Sequence, residues 1–387
     1  MIYLDNAATT QISEEVLDAM MPYLTNNFAN PGAIYSAGLE AARAVSKARE
    51  QVASLFNCDP SCIVFTSGGS EGNSLVLYGL RPYMNMLHQK KIISSTIEHD
   101  SVLNALTKLS HYDGFNIDLL NVDYDGVVCY DDLNLLLPDD DVGLVSVMYV
   151  NNETGAINPI DKIGEICRKN RILFHTDCVQ AAGIVDLDMS KLPCDYATIS
   201  SHKIHGPKGV GAVFRRDRRK LVPIIHGGNV QEFGIRGGTE NVAGIVGFGK
   251  ACEVLKRDMF EDLNELKSKY DYFVAYLHKA FQDNQINIPG FRVNSVNNGK
   301  IMSITLPGVD AQALILALSS ADVAVSAGSA CTSHLNKPSH VLKAMGFSDE
   351  DANSTIRISF SKYLTFEDLE IASNKIALCI KALKSLI

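Results

Sequence analysis

Short apolar runs alternate with longer segments of helical periodicity over the first 255 residues of the chain. Runs bounded by turn residues predict buried strands at 62–65, 92–95, 143–150, 172–175, 196–200 and 210–214. Amphipathic segments, among them one that begins at Ser13 and one over 39–56, predict helices. This alternation predicts an α/β fold in which helices cover both faces of a mostly parallel sheet.

The two N-terminal helices also have a predicted buried face. The inward positions are Val16, Leu17, Met20, Met21 and Leu24 in the first helix, and Leu39, Ala42, Val45, Val52 and Leu55 in the second. Beyond residue 260 the pattern changes, because 261–281 predicts a charged amphipathic helix and 292–306 predicts strands around an Asn-Asn-Gly turn at 297–299. We therefore expect a second domain to begin near residue 255.

Composition narrows the class of protein. The 387 residues carry a net charge of −9, so no basic surplus is present to neutralise nucleic-acid phosphates. No stretch approaches the roughly 18 consecutive apolar residues of a membrane helix, and the first residues lack the pattern of a signal peptide. The nine cysteines are scattered, which is typical of reduced thiols, and their spacing predicts no metal site. We expect a cytoplasmic protein that binds neither nucleic acid nor membrane.

A lysine follows the predicted strand 196–200 and precedes a Gly-Pro turn. Lys203 stands between His202 and His205. Burial at a strand end lowers the pKa of a lysine amine, and an amine that forms a Schiff base needs such a lowered pKa. A surface lysine on a turn explains the same position, so the segment alone leaves both interpretations open.

An acidic residue ends the predicted strand 172–175. A buried carboxylate at Asp177 needs a cationic partner, and the protonated ring nitrogen of pyridoxal phosphate (PLP) is one such partner. The alternative is a helix cap for the segment that starts at Val179. Capping explains the acid but leaves Lys203 unexplained.

A glycine-rich turn lies between the strand at 62–65 and a predicted helix at 71–80. Backbone N–H groups of Gly68, Gly69 and Ser70 at the start of a helix suit a phosphate. The segment is not the nucleotide-binding loop that ends in Gly-Lys-Ser/Thr, because no lysine follows the glycines. A tight structural turn is the alternative.

Together, these motifs resemble those of the NifS/IscS-type cysteine desulfurases, which are fold-type I PLP enzymes of the class V aminotransferase family. The segments that carry the resemblance are Thr66-Ser67-Gly68-Gly69-Ser70-Glu71, Glu98-His99, Asn151-Asn152-Glu153-Thr154-Gly155, His175-Thr176-Asp177, Ser201-His202-Lys203, Gly237-Gly238-Thr239-Glu240-Asn241 and Ser326-Ala327-Gly328-Ser329-Ala330-Cys331. The lysine segment is specific to PLP enzymes of this class, and the cysteine segment is specific to desulfurases. The matches run in order along almost the whole chain.

The resemblance implies a homodimer with two domains in each subunit. The large PLP-binding domain would span 16–255 around a seven-stranded sheet, and 1–15 with 256–387 would form a small α+β domain that carries the catalytic cysteine loop. It also implies the site. Lys203 would bind PLP, Asp177 would contact the ring nitrogen, Gln180 would contact the phenolic oxygen, and His99 would stack on the ring and move protons. The phosphate would be held by Gly69, Ser70, Ser200 and His202, with Thr239 from the partner subunit. Asn152 would contact the phenolic oxygen or the substrate, and Arg357 would bind the substrate carboxylate.

Cys331 determines the predicted reaction. Small residues precede it and a polar loop follows, so its thiol is expected to be mobile and accessible. By resemblance, L-cysteine is converted to L-alanine, and a persulfide on Cys331 passes to an iron–sulfur scaffold protein. An aminotransferase or selenocysteine lyase of the same fold is the first alternative. A non-catalytic sulfur relay or zinc-binding module using Cys331, His334 and His340 is the alternative from a different class.

Overall fold

A computed structural model describes residues 1–137, 140–217, 220–228, 230–328 and 338–385. The strands are β1 (Ile2–Tyr3), β2 (Ile63–Thr66), β3 (Lys91–Ser95), β4 (Asn116–Leu120), β5 (Val142–Ser146), β6 (Leu173–Asp177), β7 (Tyr196–Ser200), β8 (Gly211–Arg215), β9 (Arg292–Val293), β10 (Ile301–Thr305), β11 (Val323–Ala324) and β12 (Thr355–Ser359). The helices are α1 (Glu14–Thr25), α2 (Ser36–Leu55), α3 (Gly69–Gly79), α4 (Arg81–Met86), α5 (Asp100–Asp113), α6 (Leu133–Leu136), α7 (Ile160–Lys169), α8 (Val242–Asp283), α9 (Ala311–Ser320), α10 (His340–Ala344), α11 (Asp349–Asn353) and α12 (Phe366–Lys384).

The main sheet has seven strands in the order β2-β8-β7-β6-β5-β3-β4. Strand β8 is antiparallel to both of its neighbours, and the other pairings are parallel. This confirms the predicted α/β fold with a mostly parallel seven-stranded sheet. Strand β4 was not predicted, because it is an edge strand whose side chains are mostly part-exposed, so no continuous apolar run indicates it.

The buried face of α1 is narrower than its apolar pattern predicts. Val16 and Met20 are buried, whereas Leu17, Met21 and Leu24 are exposed. Met20 packs against α8 at Gly247, where a Cβ would lie 2.5 Å from the Met20 sulfur, so α1 and α8 approach each other closely at this position. In α2 the predicted inward Leu39 is likewise exposed, while Val45, Val52 and Leu55 are buried.

Helix α8 connects two hydrophobic clusters. Its first turns contribute Ile245, Phe248 and Cys252 to the cluster around the main sheet. Its later turns contribute residues such as Tyr270 and Phe273 to a second cluster, which packs against β10 and β12. The predicted helix at 261–281 is therefore the second half of a 42-residue helix. Because the two halves of α8 pack against different clusters, the apolar positions do not follow one continuous periodicity along the helix.

The N-terminus packs with the C-terminal part of the chain. Strand β1 pairs in parallel with β11, and Leu4 is buried in the second cluster. Several C-terminal side chains, including Ile301 and Val341, pack in the first cluster instead. The division into 16–255 and 1–15 with 256–387 stays a prediction.

Two further findings concern the class of protein. Within the described ranges, no helix combines the length and the apolar character that crossing a membrane requires. The cysteines in those ranges carry free thiols, and no three His, Cys, Asp or Glu side chains there are grouped so that they could hold a metal ion.

Candidate active site

A cavity of about 250 Å³ lies beyond the carboxyl ends of β6 and β7. Ligands of open α/β sheets bind at this edge. The predicted site residues that line the cavity are Gly69, Ser70, His99, Asn152, Asp177, Gln180, Ser200, His202, Lys203 and Arg357. The sheet order and the turns therefore bring together side chains from β6 and β7, from the start of α3 and from β12.

The Lys203 amine is part-buried in the wall of this cavity. Lys203 ends a short 3₁₀ turn, Ser201–Lys203, directly after β7. Its Nζ donates hydrogen bonds to the carbonyl oxygens of Ala7 at 2.5 Å and Ala8 at 2.8 Å. Burial, together with the positive charges of Arg357 and Lys300, lowers the pKa of Lys203 to about 7. The amine is thus substantially uncharged near neutral pH, as a Schiff-base nucleophile requires.

Asp177 occupies the last position of β6. Its Oδ1 accepts a hydrogen bond from the Val179 backbone N–H at 2.9 Å, so the carboxylate does cap the following turn. Its Oδ2 accepts a hydrogen bond from Asn73 Nδ2 at 2.7 Å. The carboxylate also lines the cavity, so capping and cofactor binding are compatible roles.

Asn73 is a site residue that the sequence analysis missed. It lies one helical turn after Gly69 on α3, so it faces the cavity from the same side as the glycine turn. The four-residue spacing between Gly69 and Asn73 is a sequence signal that could have identified Asn73. The Ala7 and Ala8 carbonyls gave no such signal, because backbone acceptors have no side-chain pattern.

The N-terminus of α3 forms one end of the cavity. Gly68 has φ of +151°, a backbone conformation that favours glycine. A Cβ at Gly69 would lie 2.7 Å from Val179, so a larger residue would push α3 away from the loop after β6. Ser200 Oγ is buried and has no hydrogen-bond partner among the described residues. The helix N-terminus and an unused hydroxyl suit a phosphate.

His202 contributes a neutral ring at this end. Burial, together with the neighbouring Lys203 charge, lowers the pKa of His202 to about 4. Its Nδ1 lies 3.2 Å from Thr9 Oγ1. The imidazole is therefore a neutral hydrogen-bonding group near pH 7 rather than a cation.

His99 both starts a helix and lines the cavity. Its Nδ1 accepts a hydrogen bond from the Ser101 backbone N–H at 3.1 Å and lies 2.8 Å from Ser101 Oγ. These contacts hold the imidazole at the N-terminus of α5. The ring is oriented by its own helix while it remains part of the cavity wall.

The polar side chains of Gln180 and Arg357 also line the cavity. Gln180 Nε2 donates to the Ala7 carbonyl at 2.8 Å, while its Oε1 is buried without a partner in the described ranges. Arg357 Nη1 donates to the Asn152 carbonyl at 2.8 Å, and its Nη2 pairs with Asp5 Oδ1 at 2.8 Å. Arg357 Nε has no described partner.

The residues of the cavity fit PLP. A Lys203 amine of lowered pKa suits the aldehyde, the Asp177 carboxylate suits the ring nitrogen, and the α3 N-terminus suits the phosphate. Buried polar atoms that lack a partner are costly, and four of the residues that line this cavity carry one in the described structure: Asn73 Oδ1, Gln180 Oε1, Ser200 Oγ and Arg357 Nε. A polar ligand in the cavity accounts for them.

Two buried carboxyls near the cavity were also missed. Glu98 Oε1 accepts hydrogen bonds from Ser95 Oγ at 2.5 Å and from the Met148 N–H at 2.9 Å, and burial raises the pKa of Glu98 to about 8. Glu153 Oε2 accepts a hydrogen bond from Ser339 Oγ at 2.5 Å, and burial raises the pKa of Glu153. Both belong to motifs of the family resemblance, and only their tertiary contacts reveal their surroundings.

Other predicted residues are not part of this cavity. Thr239 is exposed and does not line it, so its contact with a partner subunit's cofactor stays a prediction. Cys331 and His334 lie outside the described residues. His340, the third residue of the zinc alternative, directs Nε2 to the Glu98 carbonyl at 3.0 Å.

Comparison with known proteins gives one consistent family. The model of the class-V aminotransferase family matches residues 2–371. A cysteine desulfurase IscS of Dictyoglomus turgidum is 39% identical over 385 residues, which cover 100% of this chain and 96% of the relative. A cysteine desulfurase IscS of Methanosarcina thermophila is 40% identical over 370 residues, with 95% and 89% covered.

Solved structures agree with the sequence relatives. A NifS-like protein has a TM-score of 0.90 at 34% identity, with 99% of this chain and 100% of that chain covered. The NifS-like protein of Rickettsia africae has a TM-score of 0.85 at 32% identity, with 98% and 99% covered. The chain therefore belongs to the class-V aminotransferase family and, within it, to the NifS/IscS-type cysteine desulfurases.

Proposed function

We propose that this chain is a PLP-dependent cysteine desulfurase that converts L-cysteine to L-alanine and carries the sulfur as a persulfide on Cys331. The observation that supports it most is the part-buried Lys203 amine, which shares a cavity with Asp177 and the N-terminus of α3. These are the three groups that a PLP site needs. Membership of the desulfurase family supplies the reaction class.

Lys203 has two roles in the proposal. Its uncharged amine would hold the PLP aldehyde, and when free it would accept the α-proton of the substrate. The pKa of about 7 makes the amine a competent base near neutral pH. When bound, PLP supplies a ring that takes up the electron pair left by that proton.

The neighbouring residues would orient and polarise the cofactor and the substrate. Asp177 would keep a proton on the ring nitrogen, and Asn73 orients Asp177 through the 2.7 Å hydrogen bond. His99 would stack on the ring face, and Gln180 and Asn152, which line the same cavity, would contact the phenolic oxygen or the substrate. Gly69, Ser70, Ser200 and His202 would hold the phosphate.

Cys331 carries out the sulfur transfer. Its thiolate attacks the sulfur of the bound cysteine, so a sulfur–sulfur bond forms while the carbon–sulfur bond breaks. The electron pair of the broken bond stays on the β-carbon, which takes up a proton, and the α-carbon regains a proton from the Lys203 amine to give alanine. Arg357 binds the substrate carboxylate, with its guanidinium oriented by Asp5 and the Asn152 carbonyl.

The partners of the reaction are also part of the proposal. The sulfur passes to an iron–sulfur cluster scaffold protein, and the enzyme works in the cytoplasm as a homodimer with Thr239 donated across the interface. The exposed apolar side chains Leu17, Met21, Leu24 and Leu39 on α1 and α2 support an oligomer, because such groups favour burial against a partner.

Mass spectrometry of the intact protein after incubation with L-cysteine tests this function. We expect one added sulfur atom and stoichiometric L-alanine without any added oxo acid. Cys331→Ser should form neither product, while Cys379→Ser, which changes a half-buried thiol on α12, should behave as wild type. Alanine that appears only with an added oxo acid would indicate an aminotransferase. Turnover of selenocysteine but not cysteine would indicate a selenocysteine lyase.

A further inference from the structure

A second lysine lies directly behind Lys203. Lys300 immediately precedes β10, and its side chain is buried against the loop that follows β7. Its Nζ donates a hydrogen bond to the backbone carbonyl of Lys203 at 2.8 Å. No carboxylate of the described residues forms an ion pair with this amine. A buried ammonium without an ion pair is costly, so its retention calls for a role.

The groups around Lys300 leave its charge uncompensated. A space of about 40 Å³ is lined by Lys203, His205, Asp262, Lys300 and Lys362. Asp262 is already paired with Lys362 Nζ at 2.8 Å. Burial lowers the pKa of His205 to about 4, so its ring is neutral near pH 7. Burial also lowers the pKa of Lys300, to about 8.

The groups that face Lys203 come from several elements. Arg357 on β12 and Lys300 before β10 lower the pKa of its amine, whereas Asp5 in the N-terminal segment and Asp177 on β6 raise it. His202 beside it is neutral near pH 7. Arg357 is paired with Asp5, so the negative charge of Asp5 cancels part of the effect of the Arg357 charge on the Lys203 amine. Lys300 has no such partner in the described chain, and it contacts the lysine's own backbone.

We infer that Lys300 is a positioning residue for Lys203: its ammonium holds the Lys203 carbonyl from behind and places a second positive charge against the reactive amine. The hydrogen bond fixes the backbone from which the Lys203 side chain reaches the cavity. The charge favours the neutral form of the amine, which binds the cofactor and accepts the substrate proton. This inference rests on the proposed role of Lys203.

The test measures the titration of Lys203 itself. The cofactor-free full-length chain is treated with an amine-acetylating reagent over a series of pH values, and labelling of Lys203 is followed by peptide mass spectrometry. Lys300→Gln keeps a hydrogen-bond donor but removes the charge, Lys300→Met removes both, and Lys300→Arg keeps the charge. The matched control is Lys269→Met, because Lys269 is also buried and donates to a backbone carbonyl, that of Lys362 at 2.9 Å, but pairs with Glu265.

The wild type should show a labelling midpoint near pH 7, which is the pKa of Lys203. In both neutral variants the midpoint should rise by roughly half a pH unit or more, since one nearby positive charge is removed. Lys300→Arg and Lys269→Met should keep the wild-type midpoint. A wild-type midpoint in either neutral variant, with normal folding by circular dichroism, would overturn the inference.

Alanine formation by the PLP-loaded variants is measured separately. If the wild-type holoenzyme makes no alanine, the proposed function fails, whatever the labelling midpoint. If it makes alanine and the midpoint does not depend on Lys300, only the positioning role fails. Either neutral variant that folds is sufficient for this decision.

Discussion

Arg357 Nη2 lies 2.8 Å from Asp5 Oδ1, although 352 positions of the chain separate the two residues. Arg357 is on β12 and is buried, while Asp5 lies just after β1. The pair joins the N-terminal segment to a strand that follows the cysteine loop in sequence, and the 2.8 Å bond to the Asn152 carbonyl adds a third segment. The direction of the guanidinium is therefore set by three distant parts of the chain.

Asp5→Asn should weaken substrate binding. The substitution keeps the size of the side chain but removes the charge that orients Arg357. We expect KM for L-cysteine to rise roughly tenfold with a smaller change in kcat, because the loss concerns ground-state binding. Steady-state kinetics at saturating PLP measures this. Asp18→Asn on the exposed face of α1 is the matched control, and an unchanged KM in Asp5→Asn would show that the ion pair does not orient Arg357.

Asn73→Ala should weaken cofactor binding. The substitution removes the 2.7 Å hydrogen bond to Asp177 Oδ2, so the carboxylate loses a donor that orients it. A hydrogen bond to a charged group contributes about 1.5–3 kcal/mol, so we expect the Kd for PLP to rise by at least roughly tenfold. Spectroscopic titration of the cofactor-free protein with PLP measures this. Asn85→Ala on the exposed side of α4 should leave the Kd unchanged, and equal values for both variants would contradict the prediction.

Glu98→Gln should flatten the pH dependence of stability. The pKa of Glu98 is raised by burial from 4.5 to about 8. Between these values the folded protein keeps a proton that the unfolded chain releases, so this group lowers the free energy of unfolding progressively as pH rises through that window. Glutamine has no proton to release and is not subject to this loss.

Thermal unfolding of the cofactor-free protein from pH 5 to 8 measures the effect of Glu98. The decline of Tm with pH should be smaller in Glu98→Gln than in wild type. Glu50→Gln, at an exposed position of α2, is the control and should follow the wild-type curve. Parallel curves for all three proteins would mean that Glu98 is already ionised when folded.

Ser339→Ala should destabilise the protein and slow persulfide formation. Ser339 Oγ donates to buried Glu153 Oε2 and accepts from the Leu342 N–H at 3.2 Å, which caps α10. Gly328, which precedes residues 329–337 in sequence, is also close to Glu153, because a Cβ at Gly328 would lie 3.0 Å from the same Glu153 oxygen. Glu153 thus lies between the described residues that flank 329–337. Loss of the hydroxyl should cost about 1–3 kcal/mol.

The control for Ser339 is another helix cap. Ser348 caps α11 through a 3.0 Å bond from the Asp351 N–H, and among the described residues no buried carboxyl forms a hydrogen bond with it. Ser348→Ala should lose only the capping contribution, about 1 kcal/mol, and should form the persulfide at the wild-type rate. Denaturant unfolding and time-resolved mass spectrometry measure the two effects. Equal losses in both variants would show that the contact with Glu153 adds nothing.

Local pattern is sufficient to predict much of the fold. Apolar runs bounded by turns predict the central strands, and β7 begins and ends where the pattern indicates, since buried parallel strands require continuous apolar side chains. A lysine, an acid and a glycine turn at strand ends then predict one shared edge, because carboxyl ends of parallel strands meet there. The motif of Cys331 adds the reaction class by resemblance.

Only the tertiary structure determined how the site is surrounded. The Ala7 and Ala8 carbonyls at Lys203, the Asp5 partner of Arg357 and the position of Lys300 all join segments far apart in sequence. Such contacts depend on strand order and on packing between layers, which periodicity does not encode. The burial of a side chain also depends on packing between elements, because Leu17 fits the apolar face of α1 and is nevertheless exposed. A pattern identifies which side of an element is apolar, whereas the neighbouring elements determine how much of that side is covered.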